Sequence, residues 1–208
     1  MWITDTLINT WIISAVLIIF ALAARIALKK FKEVPGGFQN FVEVIVEKFD
    51  AFLKDMAGER LMFLGNWFFP LFLFLVLSNI SGLFGLRPPT ADWAMTFALA
   101  LVTFFLIQAM GIKFRKGRYL KSIFLEPHPV FGILNVIGEL SRPISLSFRL
   151  FGNILAGMIL ISLLYSVPFI RIGIPAPLHF YFDIFAGILH AYIFCVLSLA
   201  FISAAAAD

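Results

Sequence analysis

The chain has 208 residues, 62% of them hydrophobic and 13% charged, with a formal net charge of +4 and a mean hydropathy of +1.00. A soluble domain carries about 25% charged residues, so a water-soluble globule is excluded and the bilayer is the natural solvent. The basic balance does not point to nucleic acid, because Lys and Arg sit in short connections between apolar runs, and one cysteine, Cys195, leaves neither an internal disulfide nor a cysteine-rich metal site.

Inside a bilayer every backbone polar group must be satisfied within a helix or a closed barrel. Barrel strands alternate apolar and polar residues. Here the apolar runs are continuous. The composition therefore predicts an all-α integral membrane protein: about five membrane-embedded helices plus one amphipathic interfacial helix, in a single membrane domain over 1–208.

The first predicted span covers 8–28, long enough for a hydrocarbon core about 30 Å thick. It has no basic n-region and no clear cleavage site, so it reads as a retained helix. Arg25, Lys29, Lys30 and Lys32 close it, and Val34-Pro35-Gly36-Gly37 is a breaker. Residues 38–57 place Phe38, Phe41, Val42, Ile45, Phe49, Phe52, Leu53 and Met56 at helical spacing on one face. Glu43, Glu47, Lys48, Asp50, Lys54 and Asp55 occupy other positions, too many charges for a span. An interfacial helix fits that pattern; a soluble partner-binding helix is the alternative.

Residues 62–86 and 93–112 form a spanning hairpin around the turn Arg87-Pro88-Pro89-Thr90-Ala91-Asp92, with Asn66, Ser78, Asn79, Thr103 and Gln108 as polar interruptions. Lys113, Arg115, Lys116, Arg118 and Lys121 crowd the next loop, which ends at Pro127-His128-Pro129. Residues 130–167 then run with only Glu139, Arg142 and Arg149 charged. That is longer than one upright crossing, so the segment is expected to be strongly tilted, broken near Pro143, or laid partly along the membrane. After a turn marked by Pro168, Pro175 and Pro177, residues 178–207 form a last long segment containing Asp183 and His190. Lys and Arg concentrate in the loops after the first and third spans, while Arg87 and Arg171 stand alone in the other two. Excess positive charge marks the cytoplasmic side, predicting the N-terminus outside and the C-terminus inside.

An ionisable group at membrane depth costs at least about 2.5–3.5 kcal/mol and is a functional candidate by default. Arg149 is the sharpest. It lies far from either end of its apolar run, so snorkelling is difficult, and an arginine stays protonated. No acid lies within four residues of it. Its one-turn neighbours are Ser145, Leu146, Gly152 and Asn153, and Ser141, Ser145, Gly152 and Ala156 extend a stripe of small residues that lets another helix approach. The anion then comes from another chain; the alternative is a packing ion pair with Glu139 or Asp183. Asp92 either attracts cations at an outer entrance or caps the third span. The Lys113–Lys121 cluster reads as topology and anionic-lipid contact, or as contact with a partner.

The run Ser145-Leu146-Ser147-Phe148-Arg149-Leu150-Phe151-Gly152-Asn153-Ile154-Leu155-Ala156-Gly157 resembles the signature of subunit a of F-type ATP synthases. Pro89-Thr90-Ala91-Asp92 resembles the hairpin turn of that family, and the segment plan makes the resemblance cover nearly the whole chain. It implies an ion-translocating, non-catalytic subunit of the membrane sector in a bacterial plasma membrane, with no cofactor. Its partners would be a c-subunit ring, peripheral stalk b subunits, other ATP synthase subunits and membrane lipid.

In that family two half-channels that do not meet reach the ring, and Arg149 would face the ring carboxylate, favouring its ionised form. Ser145, Gly152 and Ala156 would contact the ring. Glu139, three helical turns before Arg149, would serve a half-channel or a structural ion pair. Asp183 and His190, seven residues apart, share an α-helical face and align with ionisable or amide positions of the family. His190 would lie near Arg149 or be a packing histidine, and Asn153 would bond the ring or another helix. One departure is Met158, where relatives often carry Glu or His. It cannot carry a proton, so the path would use Asp183 or water.

No G-x-x-x-x-G-K-[ST] phosphate loop occurs, so nucleotide chemistry belongs to other subunits. The rival readings are a self-contained secondary transporter, for which no inverted repeat is visible, and a structural membrane scaffold. The ion, H⁺ or Na⁺, is left open.

Overall fold

The computed structural model describes residues 4–27, 36–124, 132–169 and 173–207. Lys29, Lys30, Lys32, the breaker at Val34-Pro35, the Pro127-His128-Pro129 turn, Arg171 and the segment ends at Leu28 and Val130 lie outside the described residues. Every regular element among the described residues is helical. Five stretches are long and apolar enough to cross a membrane: Asp5–Ile26, Glu59–Phe84, Trp93–Arg115, Gly132–Ser166 and Pro175–Ala206. The chain is an all-α integral membrane protein.

Helix α1 (Asp5–Ala27) leaves most of its surface bare and is tied to the rest at its start, where Asn9 Nδ2 donates to the Arg87 carbonyl at 2.9 Å. Helix α2 (Gly37–Ala57) buries Phe49, Leu53 and Ala57 against the bundle, while Phe38, Phe41 and Ile45 stay exposed. Its apolar burial is therefore concentrated in the C-terminal half, although Gln39 near the start is buried too. A 3₁₀ stretch, Glu59–Leu64, leads into α3 (Gly65–Ile80), and a second one, Ser81–Phe84, follows it. Helix α4 (Trp93–Arg115) runs past the predicted end and takes Lys113 and Arg115 into its last turn. The basic loop is not all loop: α5 (Gly117–Phe124) folds back on α4 where Gly111 offers no Cβ, which would lie 2.5 Å from the Tyr119 ring.

Helix α6 (Gly132–Ser166) is continuous through Pro143, so the predicted break does not occur there. Its 35 residues extend about 52 Å at about 1.5 Å per residue. Pro143 removes one backbone donor, a loss that neighbouring helices tolerate in membranes. The last segment is a composite of α7 (Pro175–His179), an i→i+5 π-helical stretch (Phe180–Ala186) and α8 (Gly187–Ala206). Helix α8 is the centre of the bundle, with Ala191, Phe194, Cys195, Leu199 and Ile202 buried against α2, α3, α4 and α6.

Polar groups in the interior are matched to each other. Thr90 Oγ1 donates to Asn79 Oδ1 at 2.6 Å, and Asn79 Nδ2 donates to the Gly187 carbonyl at 2.7 Å. One buried amide thus joins α3, the hairpin turn and the start of α8. A Cβ on Gly187 would lie 2.9 Å from Asn79 Cβ, so the approach is as close as glycine permits. Replacing Asn79 by Leu strands these buried partners. It is expected to destabilise the fold by about 1–3 kcal/mol, seen as a lower midpoint of SDS-induced unfolding in mixed micelles. An unchanged midpoint would show that the bridge carries no stability.

Candidate functional site

Helix α6 has two unlike faces. Leu146, Leu150, Ile154, Gly157 and Ile161 are buried at helical spacing against the chain's own helices. Ser147, on the same side, lies 3.3 Å from the Thr96 hydroxyl of α4. Ser145, Arg149, Asn153 and Ala156 are exposed, and a Cβ on Gly152 would meet nothing within 4 Å. Arg149 thus stands on a face this chain leaves open, near the middle of its longest helix.

Among the described residues the Arg149 guanidinium has no ion pair, and both internal carboxylates considered for it are engaged elsewhere. Arg142 Nη1 reaches both oxygens of Glu139 at 2.8 Å, and Gln108 Nε2 donates to Glu139 Oε2 at 3.2 Å. Asp183 Oδ2 lies 2.6 Å from His179 Nδ1. The Arg142 guanidinium also rests 5.1 Å from the centroid of Phe201.

Near Arg149 itself are Asn153, whose Nδ2 donates to the Arg149 carbonyl at 2.8 Å, and His190, whose Nδ1 lies 3.4 Å from the same amide nitrogen. Asn153 is therefore bonded within its own helix and faces α8. The Asp183 and His190 side chains meet different neighbours. Their spacing assumes α-helical turns, but π-helical residues lie between them. Asp183 turns to Gly82, whose Cβ would come within 3.1 Å of the carboxylate, while His190 meets α6. Asp92 is the N-cap of α4, accepting from the Ala94 amide at 3.0 Å.

Among the described residues, three clefts that hold charged side chains follow one another along α6. One of about 840 Å³ holds Arg115, Tyr119, Asn135, Glu139 and Arg142. A small one of about 170 Å³ holds Arg142, Ser145, Arg149, Leu197 and Phe201. A third, about 390 Å³, is lined by Gly82, Arg87, Met158, Tyr165, His179 and Asp183. Sequence reasoning singled out Glu139, Arg149 and Asp183 but missed Tyr119, His179 and Tyr165. The i,i+4 spacing of His179 and Asp183 was the available signal.

Compared with known proteins, the chain matches the ATP synthase A chain family over residues 7–203. It is 36% identical to the "ATP synthase subunit a, sodium ion specific" of Propionigenium modestum, over 99% of this chain and 75% of that protein. It is 32% identical to the ATP synthase subunit a of Moorella thermoacetica, over 97% of this chain and 90% of that one. The "ATP synthase subunit a 2" of Bradyrhizobium sp. is 36% identical, over 98% and 89% respectively.

The first cleft can be tested independently of these likenesses. Tyr119 donates to Gln108 Oε1 at 3.1 Å. Burial first, and the Glu139 charge second, push its phenol above the ordinary 10.0, outweighing Arg142, the Gln108 bond and Arg115. A phenol raised in the folded state contributes stability that is complete below pH 10.0 and is lost as pH rises through the folded value. The unfolding midpoint should fall more steeply above pH 10.0 in the parent chain than in Tyr119→Phe, a difference that pH-dependent unfolding in detergent would measure.

Proposed function

The chain belongs to the ATP synthase A chain family, and from that premise we propose that it carries the coupling ion past a ring of c subunits through two separate access paths, with Arg149 between them. Membership itself makes the chain a membrane subunit of the Fo sector, taking part in ion translocation together with the other ATP synthase subunits. Nucleotide chemistry lies elsewhere in the complex.

The observation that carries the finer reading is Arg149 on the open face of α6, without an ion pair among the described residues. A cation held in lipid needs an anion, and Glu139 and Asp183, the two carboxylates weighed for it within the chain, are committed to other partners. A carboxylate brought by a second chain satisfies it. Gly152 and the small side chains Ser145 and Ala156 let that chain come close. Near Arg149 the carboxylate is favoured in its ionised form and releases its ion. Away from it, facing lipid, the carboxylate must be neutral or ion-bound.

The clefts on either side supply the access paths. Glu139 is ten residues before Arg149, about 15 Å along α6. Ser162, at the third cleft, is thirteen residues beyond it, about 20 Å. An ion entering one cleft reaches the other only by riding the ring, because Arg149 repels a second cation on the direct route. A charge moved through 100 mV supplies about 2.3 kcal/mol.

The Lys113, Arg115, Lys116, Arg118 and Lys121 cluster supports a cytoplasmic position for the Glu139 cleft in a bacterial plasma membrane, with the Asp183 cleft outside. Asp92 caps α4 at that outer end and adds negative charge to the entrance. The peripheral stalk b subunits hold the chain still while the ring turns. The ion is a proton or sodium, the latter named for the Propionigenium relative.

Arg149→Ala in the reconstituted complex should abolish ATP-driven ion uptake by at least about a hundredfold, on the scale of losing one positioned charge-stabilising group, while the complex still assembles. Uptake that survives the change would leave the chain a scaffold.

A further inference from the structure

The third cleft contains two residues that the family reading does not use, His179 and Tyr165. Asp183 is only 8% exposed. A carboxylate so buried must be paired or neutral. It is paired with His179: Nδ1 to Oδ2 is 2.6 Å. On the other side of the ring, the Tyr165 hydroxyl lies 3.3 Å from Nε2. Tyr165 is exposed and lines the same cleft. A phenol, an imidazole and a carboxylate therefore stand in a row, from open cleft to buried acid. Gly82 makes room for the last of them, since any side chain there would press on the Asp183 carboxylate. Met158, which cannot titrate, lines the same space.

We propose that His179, backed by Asp183 and met by Tyr165, is the proton-collecting residue of the outer access path, so that this entrance takes protons and not sodium. The inference rests on the proposed function above. Asp183 holds the ring with its proton on Nδ1 and leaves Nε2 as an acceptor, to which Tyr165 donates. A proton arriving from water in the cleft binds Nε2, and the Tyr165 hydroxyl turns to accept from it. The imidazolium passes its Nδ1 proton to Asp183 Oδ2, which becomes a neutral acid and hands that proton inward. The ring, neutral with its proton on Nε2, regains the starting tautomer by exchange with water. One proton enters and one leaves.

Imidazole suits the task because an unperturbed one changes charge near neutral pH, where a free carboxylate holds few protons. Sodium is a poor fit, since a hard cation is held by oxygen ligands. Here Oδ2 of the Asp183 carboxylate already holds an N–H. The other titratable or charged groups lining the cleft are Tyr165 from α6 and Arg87 from the turn after α3. Arg87 also disfavours a resident metal cation. Among the described residues no three His, Cys, Asp or Glu side chains converge.

The test uses the whole complex in liposomes, with ATP synthesis driven by an imposed potential and measured against outer-side pH in sodium-free buffer. His179→Gln keeps a donor to Asp183 but cannot titrate. Its rate should match the parent at outer pH about 5.5 and fall about tenfold below it at about 7.5, an acid shift of the limb by about one unit. If the assembled variant keeps the parent limb, or if parent synthesis requires sodium, the proposal is overturned. Should His179→Gln fail to assemble, Tyr165→Phe at its exposed position decides: a displaced limb supports the relay and an unmoved one sinks it. An unmoved limb in a complex that Arg149→Ala uncouples defeats this inference alone. Coupling retained in Arg149→Ala defeats the reading beneath it.

Discussion

A guanidinium in a low-dielectric surround must find a negative partner, and the arrangement of this chain follows from withholding one from Arg149. The chain does not lack acids near α6. Glu139 is clamped by Arg142 and Gln108, and Asp183 is clamped by His179. Each acid thus has its own base within four residues on its own helix. Local pairing keeps both from migrating to Arg149 and collapsing the open face. Removing one partner of such a pair would leave a largely buried charge unpaired, a cost of several kcal/mol.

Holding Arg149 outward also demands that the opposite face of α6 be fixed. That face is a continuous row of Leu146, Leu150, Ile154, Gly157 and Ile161. Gly157 lets the Phe182 ring come within 2.9 Å of where a Cβ would stand. The Ser147–Thr96 hydroxyl contact fixes the rotation against α4. Hydroxyls serve there because the alternative in hydrocarbon is an unsatisfied polar group. Rotating α6 to bury Arg149 would pull these small contacts apart, so packing on one face and charge on the other enforce the same orientation.

Much of this was readable from the sequence, where a rule acts locally. The five long apolar stretches follow from composition, and Arg149 stands out because nothing nearby is acidic. The Asp92 cap is a one-residue signal before a helix. The misreadings share a cause. The pairing of Asp183 with His190 assumed uniform α-helical rotation, and an i→i+5 stretch has no periodic signature in residue type. A structural ion pair is one of the two sequence readings of Glu139, and Arg142 at i+3 supplies the base. The Tyr119–Gln108 bond depends on α5 folding back over Gly111, a tertiary event that neither helix announces alone. Pro143 was a reasonable break in water; beside α4 and α8 the lost hydrogen bond does not end the helix.

The length of α6 and the irregularity of the segment after it are two solutions to one geometric demand. On the proposed function, polar clefts at opposite ends of one helix are kept apart, because a continuous polar path would leak ions across the membrane. A helix of about 52 Å, longer than the hydrocarbon is thick, sets them apart along its length. The final segment must cover both clefts, yet its contacts differ at each end: small Ala204 and Ala205 beside Arg142, and His179 with Asp183 beside Tyr165. A straight α-helix presents one fixed stripe. The π-helical residues Phe180–Ala186 change the rotation between the ends, so Asp183 can face Gly82 while His190 faces Asn153. Asn79 ties the Gly187 carbonyl where that stretch ends, which holds the change of rotation in place. The least regular backbone in the bundle therefore sits where two directions of polar contact have to be served from one helix, and a buried amide stabilises it there.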